Sequence, residues 1–296
     1  RRVLTHATAF TAAAADRRRG GGLVRAIALG LLAALAGCAT PLARLDERAA
    51  SSGFERLLLD GRGFTHLAYA HDVAGNRSLH VYLEGDGIAW LTRRIPSSDP
   101  SPRQALMFDA MRLDAGAALY LGRPCHYVGL DHPGCTTLAW THQRYSEAVV
   151  ASLAAALRSY LERRPTDSLV FFGHSGGGTL ATLLAARFAR TSAVITIAAN
   201  LDVDGWTSHH GYSRLEGSLD PTALAPLRPE LRQWHLMGSA DREIPPQLAQ
   251  RYLAANPQAW FSIIDDFDHT CCWLSLWPGV LRIVAALPNR PLPFVN

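Results

Sequence analysis

One short stretch constrains this chain more than any other: Phe171-Phe172-Gly173-His174-Ser175-Gly176-Gly177-Gly178. The apolar run Leu169 to Phe172 leads straight into a serine flanked by glycines, and a helical pattern follows from Thr179 to Phe188. A continuous apolar run of this length reads as a strand buried on both faces. The serine therefore lies on a sharp strand-to-helix turn. Such a turn strains the serine backbone, and small residues two before and two after it, Gly173 and Gly177, keep neighbouring chain clear. The unpaired amides of the following helix, at its positive dipole end, face any oxyanion that forms there. Two other readings compete: a plain glycine-rich turn and a phosphate-binding loop. Composition removes the second. The chain has no lysine, so all 29 of its basic residues are Arg. A Walker-type loop, a pyridoxal Schiff base and a Ser-Lys dyad each need an amine.

The surroundings of this turn set the fold class. From Ser78 onward short β-rich runs alternate with helical patterns, the signature of an α/β domain built on a mostly parallel central sheet with helices on both faces. Leu79 to Leu83, Ala117 to Leu121, Ala193 to Ala198, Gln233 to Met237 and Trp260 to Ile264 read as further strands. Residues 146–163 read as an amphipathic helix with Val149, Leu153, Leu157 and Tyr160 on one face, closed by Pro165. Pro245-Pro246 opens a helix reaching about Ala255, and Trp273 to Leu287 is the last one. Residues 41–77 are expected to add antiparallel strands at one edge. Residues 200–231, rich in Gly, Pro and His, are too few for a large lid domain and read as a rim loop. With 296 residues, 48% of them apolar, the chain can bury a sizeable single core over 78–296.

A serine hydroxyl needs a base, and on a fold of this kind the chain order is serine, acid, histidine. After Trp234 to Met237 comes Gly238-Ser239-Ala240-Asp241, which puts Asp241 at a strand end where the acid belongs. The alternative is that Asp241 only caps the helix beyond it; Asp202 and Asp204 are held in reserve. His269 follows the last strand in Asp265-Asp266-Phe267-Asp268-His269 and is the candidate base. His209 and His210 precede the acid and suit surface or substrate contacts, while His174 is given a packing role. Donors for an oxyanion are expected from Gly176, just after the serine, and from Asp86 or Gly87 in Leu83-Glu84-Gly85-Asp86-Gly87. A plain turn would look similar there. Trp90, Trp140 and Trp206 are candidates for an apolar acyl pocket, though aromatic residues more often simply pack.

The N-terminal part reads as an address. Arg17-Arg18-Arg19 and Arg25 precede the apolar run Ala26 to Ala36, and small residues close it. That is a signal-peptide pattern over residues 1–37, with its first residues read as an over-extended gene start. Leu35-Ala36-Gly37-Cys38 resembles a bacterial lipobox, so Cys38 is expected to carry lipid and 38–77 to be a lipid-anchored lead-in; ordinary secretion and a buried helix are the alternatives. Residues 1–37 hold six Arg and one Asp, and without them the formal charge of +4 becomes −1. A nearly neutral remainder gives no electrostatic case for nucleic acid. Export places the other four cysteines in an oxidising compartment. Cys125 and Cys135 flank a short loop that is easily bridged, Cys271-Cys272 could form a vicinal bridge or one of them could pair elsewhere, and free thiols are the alternative. Their spacing matches no zinc pattern.

Taken together, residues 78 to 287 resemble the α/β-hydrolase superfamily. More narrowly, Leu83-Glu84-Gly85-Asp86-Gly87, Arg123-Pro124-Cys125, Trp140-Thr141 and Asp268-His269-Thr270-Cys271-Cys272-Trp273 resemble uncharacterised bacterial lipoprotein hydrolases. The resemblance implies hydrolysis through an acyl-enzyme without a cofactor. A carboxylester hydrolase acting on a small-molecule or lipid ester is the leading expectation. An amide, peptide or thioester hydrolase with the same triad, and a noncatalytic envelope protein on the same scaffold, are its rivals. Oligomeric state is not legible.

Overall fold

The computed structural model describes residues 40–129, 132 and 134–286. The signal-type segment 1–37, Cys38 and Leu287 lie outside the described residues. The described residues begin with α1 (Pro41–Ser51), β1 (Glu55–Asp60), β2 (Thr65–His71) and β3 (Ser78–Leu83). A small hairpin of β4 (Trp90–Thr92) and β5 (Ile95–Pro96) precedes α2 (Leu106–Arg112) and β6 (Ala118–Leu121). Then come α3 (Glu147–Arg163), β7 (Ser168–His174), α4 (Gly176–Ala185) and β8 (Thr191–Ile197). The C-terminal part adds α5 (Val203–His210), β9 (Arg232–Gly238), α6 (Gln250–Ala255), β10 (Trp260–Ile264) and α7 (Trp273–Ala286).

One eight-stranded sheet runs β1-β2-β6-β3-β7-β8-β9-β10. β2 pairs antiparallel with both β1 and β6, and every other neighbour in the sheet is parallel. Residues 55–71 thus supply the antiparallel edge. Strand periodicity decides what each face buries. Leu79, Val81, Leu83, Leu169 and Phe171 join Val149, Leu153 and Leu157 of α3 and Leu180 and Leu184 of α4 in one apolar cluster. The alternate positions pack on the opposite face. There Tyr82 and Phe172 stack at 4.7 Å, Trp277 of α7 meets Phe172 at 5.2 Å, and Phe108 of α2 lies edge-on to Tyr120 at 5.6 Å. Phe171 is fully buried, and truncating such a side chain to Ala costs about 3–5 kcal/mol.

The sequence reading holds no expectation of the β4–β5 hairpin or α2, and α1 takes up Pro41–Ser51 of the segment expected to form antiparallel strands. Two further elements depart from it. α4 starts at Gly176 rather than Thr179, because the Ser175 carbonyl already accepts from the Gly178 amide at 2.9 Å. Three glycines are poor helix formers, yet a Cβ on Gly178 would stand only 2.4 Å from Ala199 Cβ, so close packing requires the small residue. The second departure is α5, inside the segment read as a rim loop. Asp202 caps it by accepting from the Gly205 amide at 2.8 Å, and Gly211 ends it in the left-handed region at φ 62°. Those two caps make a helix from a composition that reads as loop.

Cys125 and Cys135 are disulfide-bonded with their Cα atoms 5.5 Å apart, and Cys271 is bonded to Cys272. Among the described residues no helix is long and apolar enough to cross a membrane. Because β3, β7, β9 and β10 are mutually parallel, the segments leaving their C-terminal ends gather along one edge of the sheet. Ligands of open α/β sheets bind at that edge.

Candidate active site

Ser175 occupies the bend between β7 and α4 at φ 52°, ψ −124°, a conformation that side-chain-bearing residues rarely adopt. Its amide donates to the Ile197 carbonyl at 3.1 Å, which ties the bend to β8. The flanking glycines are sterically required. A Cβ on Gly177 would run into the Leu83 carbonyl, and one on Gly173 into the backbone of Gly177.

Two distant segments complete the site. His269 Nε2 lies 3.0 Å from Ser175 Oγ, and His269 Nδ1 lies 2.9 Å from Asp241 Oδ2. A carboxylate only accepts, so Nδ1 carries the proton and Nε2 is left to accept from the serine hydroxyl. The Asp241 side chain is wholly buried. Its other oxygen, Oδ1, accepts from the amides of Glu243 at 2.9 Å and Ile244 at 2.8 Å. The local turn and the histidine thus use different oxygens of one carboxylate. The histidine loop is itself held. Asp268 Oδ1 accepts from the amides of Thr270 and Cys271, and Trp273 Nε1 donates to the Asp268 carbonyl. His174 Nε2 donates to the His269 carbonyl at 2.8 Å, and the two rings lie 4.9 Å apart. Burial, followed by the nearness of the second imidazole at His269, lowers the His174 pKa to about 4, so the ring stays neutral. This bond adds to the packing role expected of His174.

The reserve acids sit elsewhere. Asp202 caps α5 and pairs with Arg251 at 2.8 Å, and Asp204 pairs with Arg214 at 2.6 Å. Neither is bonded to His269. His210 Nε2 donates to the Glu243 carbonyl at 2.8 Å.

The loop after β3 faces the serine. A Cβ on Gly85 would stand 3.4 Å from Ser175 Cβ, and one on Gly176 would run into Asp86 Oδ1. Gly87 needs its positive φ of 64° to turn the chain. Among the described residues, the amides of Gly176, Asp86 and Gly87 have no hydrogen-bond acceptor. Sequence reasoning placed Asp86 here for its amide; its side chain has a role that reasoning missed. The carboxylate pairs with Arg123 through Oδ1, and through Oδ2 with Arg144 at 2.8 Å and the Tyr145 hydroxyl at 2.6 Å. Burial alone would raise its pKa, but the two guanidinium charges and the hydroxyl outweigh that and hold it well below the usual carboxylate range. Arg123 belongs to the quoted motif, whereas nothing local to residue 86 points to Arg144 or Tyr145. Glu84, beneath the loop, accepts from the Met107 amide at 2.9 Å, and burial raises its pKa to about 7.

A cavity of about 900 Å³ opens over Ser175 and His269, with Ile88, Trp90, Trp206, Tyr212, Leu215 and Ile244 as its apolar lining. Trp140 does not take part. It packs against Ala89, Cys125 and Ala139, and its Nε1 donates to the Ser97 carbonyl at 3.2 Å. Its indole finds both an apolar bed and an acceptor in the interior.

The family model of class 3 lipases matches residues 123–200, about a quarter of the chain, including the Ser175 turn. Among solved structures, an α/β serine hydrolase without a lid from Xanthomonas campestris is 18% identical, covering 80% of this chain and 97% of its own, with a TM-score of 0.53. The fold is that of the α/β-hydrolases. A carboxylesterase from Bacillus subtilis is 12% identical, with 84% and 98% of the two chains covered and a TM-score of 0.51. A puromycin-hydrolysing peptidase from Mycobacterium tuberculosis is 15% identical over 82% of this chain, with a TM-score of 0.56. The chain spans only 40% of that peptidase's length. No curated protein sequence matches. The contacts of Ser175, His269 and Asp241 have the chain order and geometry of a serine-hydrolase triad.

Proposed function

We propose that the protein is a serine hydrolase that cleaves carboxylic esters through an acyl-enzyme. The observation that carries this reading is the 3.0 Å contact of His269 Nε2 with Ser175 Oγ, backed by the 2.9 Å contact of Nδ1 with buried Asp241. His269 takes the Ser175 proton as Oγ bonds to the ester carbonyl carbon, and Asp241 stabilises the imidazolium while staying ionised. The tetrahedral oxygen faces the free amides of Gly176 and the Asp86–Gly87 turn, where one donor is typically worth ~3 kcal/mol. Collapse breaks the ester bond, and His269 gives its proton to the leaving alkoxide. Water, deprotonated by His269, then releases the acid and restores the serine. The chemistry uses no cofactor.

The partial match to class 3 lipases supports an ester over an amide, peptide or thioester substrate. The solved neighbours include an esterase and a peptidase, so the fold itself does not choose. Ser175 should label with a fluorophosphonate, and p-nitrophenyl ester turnover should vanish in Ser175→Ala and in His269→Ala. Turnover that persists in purified Ser175→Ala sinks the reading; faster cleavage of matched anilides than of esters turns it to amides. We also place the protein at the bacterial cell envelope, anchored through lipid on Cys38, because of the lipobox-like Leu35-Ala36-Gly37-Cys38. Lipid labelling unchanged in Cys38→Ala would contradict that placement.

A further inference from the structure

Charges that acyl transfer does not use stand around the apolar lining of the cavity. Arg93, in the turn of the β4–β5 hairpin, and Arg103 both face the space that holds Ser175. Among the described residues neither forms an ion pair. Arg93 is nonetheless held in place. Its guanidinium carbon lies 5.6 Å from the centroid of the Tyr212 ring. Tyr212 stacks on His210 at 5.1 Å and meets Trp206 edge-on at 5.3 Å. A guanidinium set over such an aromatic shelf keeps its N–H fork free for a planar anion.

The acidic groups facing the same space do not cancel these charges. Asp86 is matched by Arg123 and Arg144, and Glu84 is buried beneath the loop. Glu243 also lines the cavity, but it pairs with neither Arg93 nor Arg103. Two cations without an ion-pair partner, set against the single carboxylate of Glu243, therefore leave a positive balance around an apolar, aromatic cleft that leads to the nucleophile.

We propose that the substrate is an anionic ester, whose carboxylate or phosphate docks at Arg93 and Arg103 while its apolar part lies against Ile88, Trp90 and Trp206. This rests on the hydrolase reading above and goes further by assigning the substrate's charge. The anion contributes mainly to binding rather than to the chemical step, so its effect falls on KM.

The test compares the p-nitrophenyl monoester of glutarate with neutral p-nitrophenyl pentanoate on the intact protein. The wild type should favour the anionic ester by about 10-fold in kcat/KM, mostly through KM, and about 0.5 M salt should erode that preference. The Arg93→Gln/Arg103→Gln double variant should bring the ratio to about 1, whereas Arg94→Gln, which does not line the cavity, should keep it. Competition by glutarate against glycerophosphate then tells a carboxylate from a phosphate ligand. Ser175-dependent turnover of both esters without anionic preference, or a preference that survives the double variant, overturns the inference and leaves the hydrolase reading standing. Absence of Ser175-dependent turnover of either ester overturns both.

Discussion

The two walls that meet at Ser175 are built on different principles. The bend between β7 and α4 is held by sterics: six consecutive residues, a strained serine and glycines that no side chain can replace. The facing loop, Glu84 to Gly87, is held by buried charge, with Asp86 gripped by residues 123, 144 and 145 from elsewhere in the chain. Steric constraint is local and leaves a short, readable pattern. Electrostatic constraint is distributed, and it fails differently when one partner is removed.

The largest effect should come from breaking the charged wall. Asp86→Ala leaves Arg123 and Arg144, each almost fully buried, without their carboxylate. Breaking a buried pair from one side typically costs ~3–5 kcal/mol, so thermal and urea unfolding should both shift down by that amount. Asp86→Asn separates charge from shape. An Asn variant as stable as the wild type would show that the wall depends on fit and hydrogen bonding instead. Gly177→Ala probes the steric wall, and its loss should be the same in high and low salt.

Acid should strain both walls through their histidines. His126, which contacts the Asp86 carbonyl at 3.4 Å, and His174 on the elbow each have a pKa lowered to about 4, first by burial. His66 is lowered to about 4 and His235 to about 3 for the same reason. An unfolded histidine titrates near 6.5, so between ~6.5 and ~4 the unfolded chain binds protons that the folded chain refuses. Stability is thus full above about pH 6.5 and falls as pH drops toward 4, by on the order of 2 kcal/mol per histidine. Glu84, raised to about 7, works in the opposite sense, since its ionisation between about 4.5 and 7 disfavours the fold. Four histidines outweigh one glutamate. A melting temperature that stays level from pH 7 to pH 4 would mean that the four rings are not held neutral.

What could be read from the sequence follows the same division. The Ser175 turn, and the positions of Asp241 and His269 after their strands, are consecutive-residue patterns, and the structure brings those three side chains within hydrogen-bond reach. The strands were legible because apolar runs of four to seven residues have few other uses in an α/β chain. α5 was not, since its Gly- and His-rich composition hid the capping pair Asp202 and Gly211. Trp140, a pocket candidate, takes the packing alternative instead, because an aromatic residue carries no signal for which way it points; an acceptor at Ser97, far off in sequence, decides that. The Asp86 cluster was invisible for a related reason. Arg123 and Arg144 are two among 29 arginines, and only the tertiary fold selects them.

The smallest effect should lie where the elbow touches the histidine loop. His174 follows the strand into the bend, and its Nε2–H holds the carbonyl of His269 itself. Losing that bond leaves Ser175, Asp241 and the fold in place but lets the His269 backbone drift. A catalytic base displaced by a fraction of an ångström acts in the chemical step, not in binding. His174→Phe should therefore lower kcat by about 10-fold, equivalent to ~1.4 kcal/mol, with KM nearly unchanged. His174→Gln, which can present an amide N–H to the same carbonyl, should recover part of the loss. A residue that only packs would give the reverse order, with Phe the better replacement. Wild-type kcat in the Phe variant would remove His174 from the positioning of the base and leave it as a filler of the space beside Gly85.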